Sequence, residues 1–105
     1  MTSADFEKAA KNLIIKKMKD VTGIEVEYSK LQVVFLTYTL GNIKATLFAP
    51  TTPGYYFEVT FDRFNDKMYL DIYQKVSNSV HEPEEFDYND RSGKLSGVTY
   101  KANLV

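Results

Sequence analysis

The sequence predicts an α+β fold, with one N-terminal helix packed across an antiparallel β-sheet of about five to six strands built from hairpins. Three observations carry this expectation. Apolar residues recur at helical spacing only before Gly23. After it they alternate with polar ones, and turn signals punctuate that alternation.

The helix comes first. Thr2 followed by Asp5 forms a capping-box-like start. Phe6, Ala9, Ala10, Leu13, Ile14, Met18 and Val21 then make one apolar stripe, and Glu7, Lys8, Lys11, Lys16 and Lys19 occupy the other side. Gly23 supplies the stop, since only glycine enters the left-handed cap without penalty. The spacing predicts a helix over about residues 3–21.

"IEVEY" (24–28) alternates apolar and acidic residues and reads as a short strand. "LQVVFLTYTL" and "IKATLFA" flank Gly41 and Asn42, a two-residue hairpin turn signal. A tight turn there sets Leu40 opposite Ile43, Tyr38 opposite Ala45, Leu36 opposite Leu47 and Val34 opposite Ala49. That side is apolar apart from one hydroxyl and belongs to the core. The other side then pairs Thr39 with Lys44, Thr37 with Thr46 and Phe35 with Phe48.

"APTTPG" (49–54) is a loop, because two prolines and a glycine break any ladder. "YYFEVTFDRFNDKMYLDIYQK" (55–75) is a second hairpin turning at Arg63–Asp66. Tyr55, Phe57, Val59 and Phe61 face the core against Met68, Leu70 and Ile72. A four-residue loop pairs Asp62 with Lys67, Thr60 with Tyr69, Glu58 with Asp71 and Tyr56 with Tyr73 on the other face. The sheet thus covers about residues 24–75. An acidic loop is expected over 77–93, where "HEPEEFDYND" holds five acids. "KLSGVTYKANLV" suggests a last edge strand over about 95–102. The whole chain, 1–105, reads as a single domain.

Bulk chemistry narrows the function classes. The chain has 105 residues and a net charge of −1. That balance argues against direct nucleic-acid binding and against an anionic-membrane binder. With no Cys, disulfides, thiolate zinc sites and a cysteine nucleophile are excluded. "MTSADFEKAAKNLIIKK" carries charges every few residues, so neither a signal peptide nor a membrane span is expected there. A cytoplasmic protein follows as the expectation. No phosphate loop, dinucleotide fingerprint or zinc spacing occurs, and no cofactor or metal is expected.

Two features stand out on the non-core sheet face. Glu58 and Asp71 would oppose each other across a strand pair, which costs stability without a cation nearby. Lys44 or Lys75 could neutralise them, and water could screen them. A hard divalent cation or an acid/base pair would use the same carboxylates, but two are too few to establish either. The second feature is aromatic. Tyr56, Tyr69 and Tyr73, with Phe35 and Phe48 beside them, make a larger apolar patch than monomers usually leave open. Tyrosine is enriched at binding hot spots, so these five residues, with Glu58 and Asp71, form the expected partner-binding surface. Sheet decoration, or coverage by the C-terminal tail, is the plain alternative. His81, the only histidine, reads as a loop residue, and Ser77 and Ser79 have no recognisable base.

"TLGNIKATL" and "YYFEVTFDRFNDKMYLDIYQK" resemble the core pattern of a family of short uncharacterised proteins encoded in phages and prophages of Gram-positive bacteria. The matching positions include Thr39, Leu40, Asn42, Lys44, Ala45, Leu47, Tyr55, Tyr56, Glu58, Val59, Thr60, Tyr69, Leu70, Asp71, Tyr73 and Lys75. "TSADFEKAAKNLIIKK" also fits the family's opening. The resemblance covers about residues 2–76 and stops where the tail begins. It implies a small gene on a mobile element, acting in the cytoplasm of a bacterial host. Such genes often encode non-enzymatic proteins that bind and inhibit a host protein, anti-CRISPR-like or other anti-defence inhibitors among them. The alternative is a homodimeric accessory factor of phage DNA metabolism or assembly. The implied partner is a host or phage protein, or a second copy of the chain.

Overall fold

The computed structural model describes residues 1–85, and its element order is one helix followed by four strands. Helix α1 spans Ser3–Thr22. Its start is the reciprocal capping box: the Thr2 hydroxyl accepts the Asp5 N–H at 3.1 Å, and the Asp5 carboxylate accepts the Thr2 N–H. At the other end Gly23 takes φ 77° and donates to the Lys19 carbonyl at 3.0 Å. Phe6, Ala10, Ile14 and Met18 are fully buried, one residue per turn along a single line. Leu13 is only half-buried and Val21 is 69% exposed. The apolar stripe is therefore wider than the part of it that the sheet covers.

The sheet holds β1 (Gln32–Thr39), β2 (Asn42–Phe48), β3 (Tyr55–Asp62) and β4 (Lys67–Gln74), in sequential antiparallel order. Its strand count is four, against the five to six expected. The expected strand at 24–28 is absent. Ile24–Glu27 runs irregularly into a 3-10 turn at Tyr28–Lys30. Its alternation has another cause: Val26 and Leu31 plug the core edge, and Glu25 reaches back to Lys19 at 2.8 Å. That ion pair raises the Lys19 pKa and lowers that of Glu25, through its hydrogen bond first and charge second. The sheet thus covers 32–74 rather than 24–75. Of the expected acidic loop, the described part ends in a short 3-10 turn at Pro83–Glu85. The expected last strand at 95–102 lies outside the described residues.

The first hairpin turns one position earlier than the glycine–asparagine pair suggested. Leu40 and Gly41 both take left-handed backbone, φ 49° and 88°, as a tight hairpin turn with two central left-handed residues requires. Asn42 instead starts β2 opposite Thr39, and its side-chain oxygen accepts the Arg63 N–H at 3.4 Å. The register shifts accordingly, so Tyr38 faces Ile43 and Leu36 faces Ala45. A bulge between Val33 and Phe35 then sends Val33 towards the core and leaves Val34 56% exposed. Tyr38 is 57% exposed rather than core, and its hydroxyl meets the Ser3 hydroxyl at the start of α1.

The second hairpin has the expected register throughout, from Tyr56 opposite Tyr73 to Asp62 opposite Lys67. Its loop is organised by Asp62, whose carboxylate accepts the Phe64 and Asn65 N–H groups and the Asn65 side-chain amide. Those bonds, the Asn65 amide foremost, hold the Asp62 carboxyl below the usual carboxylate range.

The core lies between α1 and the central strands. Ile43, Ala45, Leu47, Phe57, Val59 and Phe61 are buried beneath the helix line. Leu36 on β1 and Met68, Leu70 and Ile72 on β4 only flank them, half-covered.

Two substitutions test this arrangement. Ile14→Ala should cost about 2–5 kcal/mol, the range for a buried aliphatic truncation, whereas Leu13→Ala should cost distinctly less, both read from chemical denaturation midpoints. Leu40→Asn should raise stability by about 1 kcal/mol, read as a higher midpoint, because Asn tolerates the left-handed conformation that Leu adopts at a penalty.

Candidate functional site

The face of the sheet turned away from α1 has no covering element among the described residues. It carries all seven residues singled out from the sequence: Phe35, Phe48, Tyr56, Glu58, Tyr69, Asp71 and Tyr73. They are not one cluster, however. Phe35 lies opposite Thr46 and Phe48 opposite Gln32, so the expected Phe35–Phe48 pair does not form. The bulge in β1 and the earlier turn account for that. Phe35 sits on one edge strand and Tyr69 on the other, three strand spacings or roughly 14 Å apart.

Phe48, Tyr56 and Tyr73 do come together. The Tyr56 and Tyr73 rings stack with centroids 4.7 Å apart and planes 9° from parallel, since directly opposed strand residues stand side by side. They line an open cleft of about 560 Å³ with Phe48, Pro50, Pro53 and Lys75. The β2–β3 loop forms its other wall. Thr52, the one buried polar residue among those described, folds that loop by donating from both N–H and hydroxyl to the Ala49 carbonyl. The Lys75 N–H donates to the Gly54 carbonyl at 2.6 Å and ties the end of β4 to the loop.

The cleft was not read from the sequence, where 49–54 served only as a breaker. Its signal was present: two prolines directly between Phe48 and Tyr56 place rigid apolar rings beside aromatic ones.

The carboxylates are arranged as the register predicted. Glu58 opposes Asp71. Lys44 stands 3.5 Å from Glu58, and the Tyr73 hydroxyl donates to Glu58 at 3.4 Å. Glu58 thus has a cation and a phenol, while Asp71 has no ion-pair partner among the described residues. The Glu58 charge raises the Tyr73 pKa above its ordinary value, with desolvation and the Asp71 charge adding to it. Among the described residues no three metal-ligating side chains group together.

A second constellation was missed. Ser79 Oγ lies 2.9 Å from His81 Nε2, and His81 Nδ1 lies 3.4 Å from Glu85. The order of contacts copies a hydroxyl–imidazole–carboxylate relay, and the sequence reading gave Ser79 no base. All three residues are exposed, so water competes for each bond, and none is held by a packed neighbour.

Three aromatic faces and two prolines supply rigid apolar contact, and two phenols, one carboxylate and one ammonium fix orientation. No helix among the described residues is long and apolar enough to cross a membrane.

Ultraviolet titration should show the Tyr73 phenol ionising above the ordinary value near 10. In Glu58→Gln that step should move down in pH, because the largest opposing charge is removed. The sign follows from linkage: the folded state holds this proton more tightly than the unfolded one, so the stabilisation is complete below the unfolded pKa and is lost as pH rises through the folded pKa.

Residues 7–83 match a family of unknown function, DUF6275. No curated protein and no solved structure matches the chain. The family match spans most of the chain, and the chain belongs to that family.

Proposed function

We propose that this member of the DUF6275 family is a non-enzymatic binding protein, encoded by a phage or mobile element, that occupies and inhibits a host protein through its open sheet face. The observation that carries this reading is the stacked Tyr56–Tyr73 pair in an uncovered cleft with Phe48 and two prolines. The core has no use for these rings, since Phe57, Val59 and Phe61 at alternate positions already fill it. Tyrosine loses little side-chain entropy on binding and offers both apolar area and a hydroxyl, which suits an interface that must also face water. Glu58 and Asp71 beside the cleft would set specificity and association rate more than affinity. A cationic or hydroxyl-rich edge of the partner would complement Asp71, which has no ion-pair partner among the described residues.

The mobile-element setting rests on the resemblance of "TLGNIKATL" and the Tyr55–Lys75 stretch. Anti-defence inhibition is the biological role we assign within that setting, in the bacterial cytoplasm. A homodimeric accessory factor of phage DNA metabolism or assembly is the second reading, favoured by the edge of β4, which has no strand partner among the described residues.

The test is a Tyr56→Ala, Tyr73→Ala double variant. It should keep the native circular dichroism spectrum, and a partner captured by the wild type from host lysate should bind it at least about thirtyfold more weakly, the effect of losing a single hot spot. An unfolded variant would place these rings in the core. Unchanged binding would move the working surface to the helix lysines or the 82–90 segment.

A further inference from the structure

We propose that the free edge of β4 is a homodimer interface, joining two copies of the chain into one continuous sheet about a twofold axis at Leu70. It leaves the aromatic cleft free: it uses the strand's backbone, the helix side of the sheet and, on the open face, Lys67, Tyr69 and Asp71.

Three observations lead to it. Strand β4 ends the sheet among the described residues, so one row of its backbone groups lacks a strand partner there. It has no proline, no bulge and no charge turned towards the core; its two charges, Lys67 and Asp71, are of opposite sign and stand on the open face. Beside it runs an apolar groove of about 380 Å³ between helix and strand, lined by Leu13, Lys17, Val21, Met68, Leu70 and Ile72. The helix stripe and the strand's core face are both left half-finished at the same place.

The geometry selects the occupant and the register. The Lys75 N–H bonds to Gly54 on the β3 side. Odd-numbered β4 residues therefore direct their N–H and C=O groups at β3, and Met68, Leu70 and Ile72 direct theirs at the free edge. Antiparallel partners share a face. With Leu70 opposite its own copy, Met68 meets the partner's Ile72, the paired stretch runs from Lys67 to Tyr73, and its backbone bonds come from Met68, Leu70 and Ile72. On the open face Tyr69 then opposes the partner's Asp71, and Lys67 lies diagonal to that same carboxylate, the one without an intramolecular cation among the described residues. Centring on Asp71 would abut two carboxylates, and centring on Tyr69 or Ile72 would shorten the ladder. The self-pairing is thus complementary in charge and in apolar surface, and each copy's Val21 and Leu13 flank the joined β4 core faces. The family match ends at residue 83, so this edge and groove belong to the family's shared part and the 86–105 segment does not.

The experiment is sedimentation equilibrium of the full chain across a concentration series, with hydrogen exchange of the β4 amides. The expected mass is twice the 12.1 kDa chain, with protection of the Met68, Leu70 and Ile72 amides rising with concentration. Leu70→Lys should weaken dimerisation at least about tenfold. Lys67→Glu should also weaken it, and Lys67→Glu with Asp71→Lys in one chain should restore it, because the diagonal charge pair is rebuilt with signs exchanged. Should Leu70→Lys fail to fold, the charge-swap pair decides the matter alone. A monomer at every concentration overturns the proposal: concentration-independent protection would then assign the edge to the chain's own 86–105 segment, and absent protection would leave the edge open. A dimer unaffected by the charge variants overturns it as well and places the contact on the aromatic face.

Discussion

One helix must cover four strands, and it is too narrow to do so. An α-helix with its side chains is about 10–12 Å across, while the outer strand axes of a four-stranded sheet stand roughly 14 Å apart before side chains are counted. The consequence is written in the burial pattern. Every core-facing residue of β2, and Phe57, Val59 and Phe61 of β3, is buried, whereas Leu36 on β1 and Met68, Leu70 and Ile72 on β4 are half-covered. The other side of the sheet receives no helix at all among the described residues. The groove beside β4 is a leftover of that mismatch in width, and the aromatic face is open because no second layer covers it among the described residues.

The mismatch also explains why the stability of the fold is concentrated. Phe6, Ala10, Ile14 and Met18 meet the central strands along one line, and the Val26 and Leu31 side chains close the end of the layer where the helix stops. The capping box, the Gly23 cap and the Lys19–Glu25 pair hold that helix end and the following segment in place. Exposed ion pairs contribute little on their own; their effect here is to fix where the chain crosses from helix to sheet.

Much of this was legible in the sequence, for reasons that differ between elements. The helix and the second hairpin were readable because capping, period and loop length all pointed the same way: Thr2, Asp5 and Gly23 mark the helix, and a four-residue loop fixes Glu58 opposite Asp71. The first hairpin was misread because Gly41–Asn42 is a good turn pair by composition, yet the chain places Leu40 in the left-handed region to make Asn42 available to Arg63. The earlier turn alone carried Phe35 opposite Thr46, and a bulge at Val34, which has no composition signal, then set Phe48 opposite Gln32. The segment 24–28 alternates as a strand does, but alternation marks a half-buried segment whether or not a neighbouring strand exists to pair with it. The aromatic face was read correctly as a face and incompletely as a site, since the cleft depends on a proline loop whose position only the tertiary structure fixes.

Strand β4 shows how far one edge strand can be divided among tasks. Its odd residues, Tyr69, Asp71 and Tyr73, point to the open face, and Tyr73 completes the stacked pair. Its even residues, Met68, Leu70 and Ile72, point to the helix and form one wall of the groove. Its backbone serves β3 on one side and has no strand partner on the other among the described residues. Because the period of a strand is two, these sets are chemically independent although they are interleaved in sequence. An interface built on the even residues and the free edge would leave the Tyr73 ring and the Glu58 carboxylate in place. It would also set two open faces side by side in one sheet, each with its own cleft, so that self-association and recognition of a second protein could coexist on a chain of 105 residues.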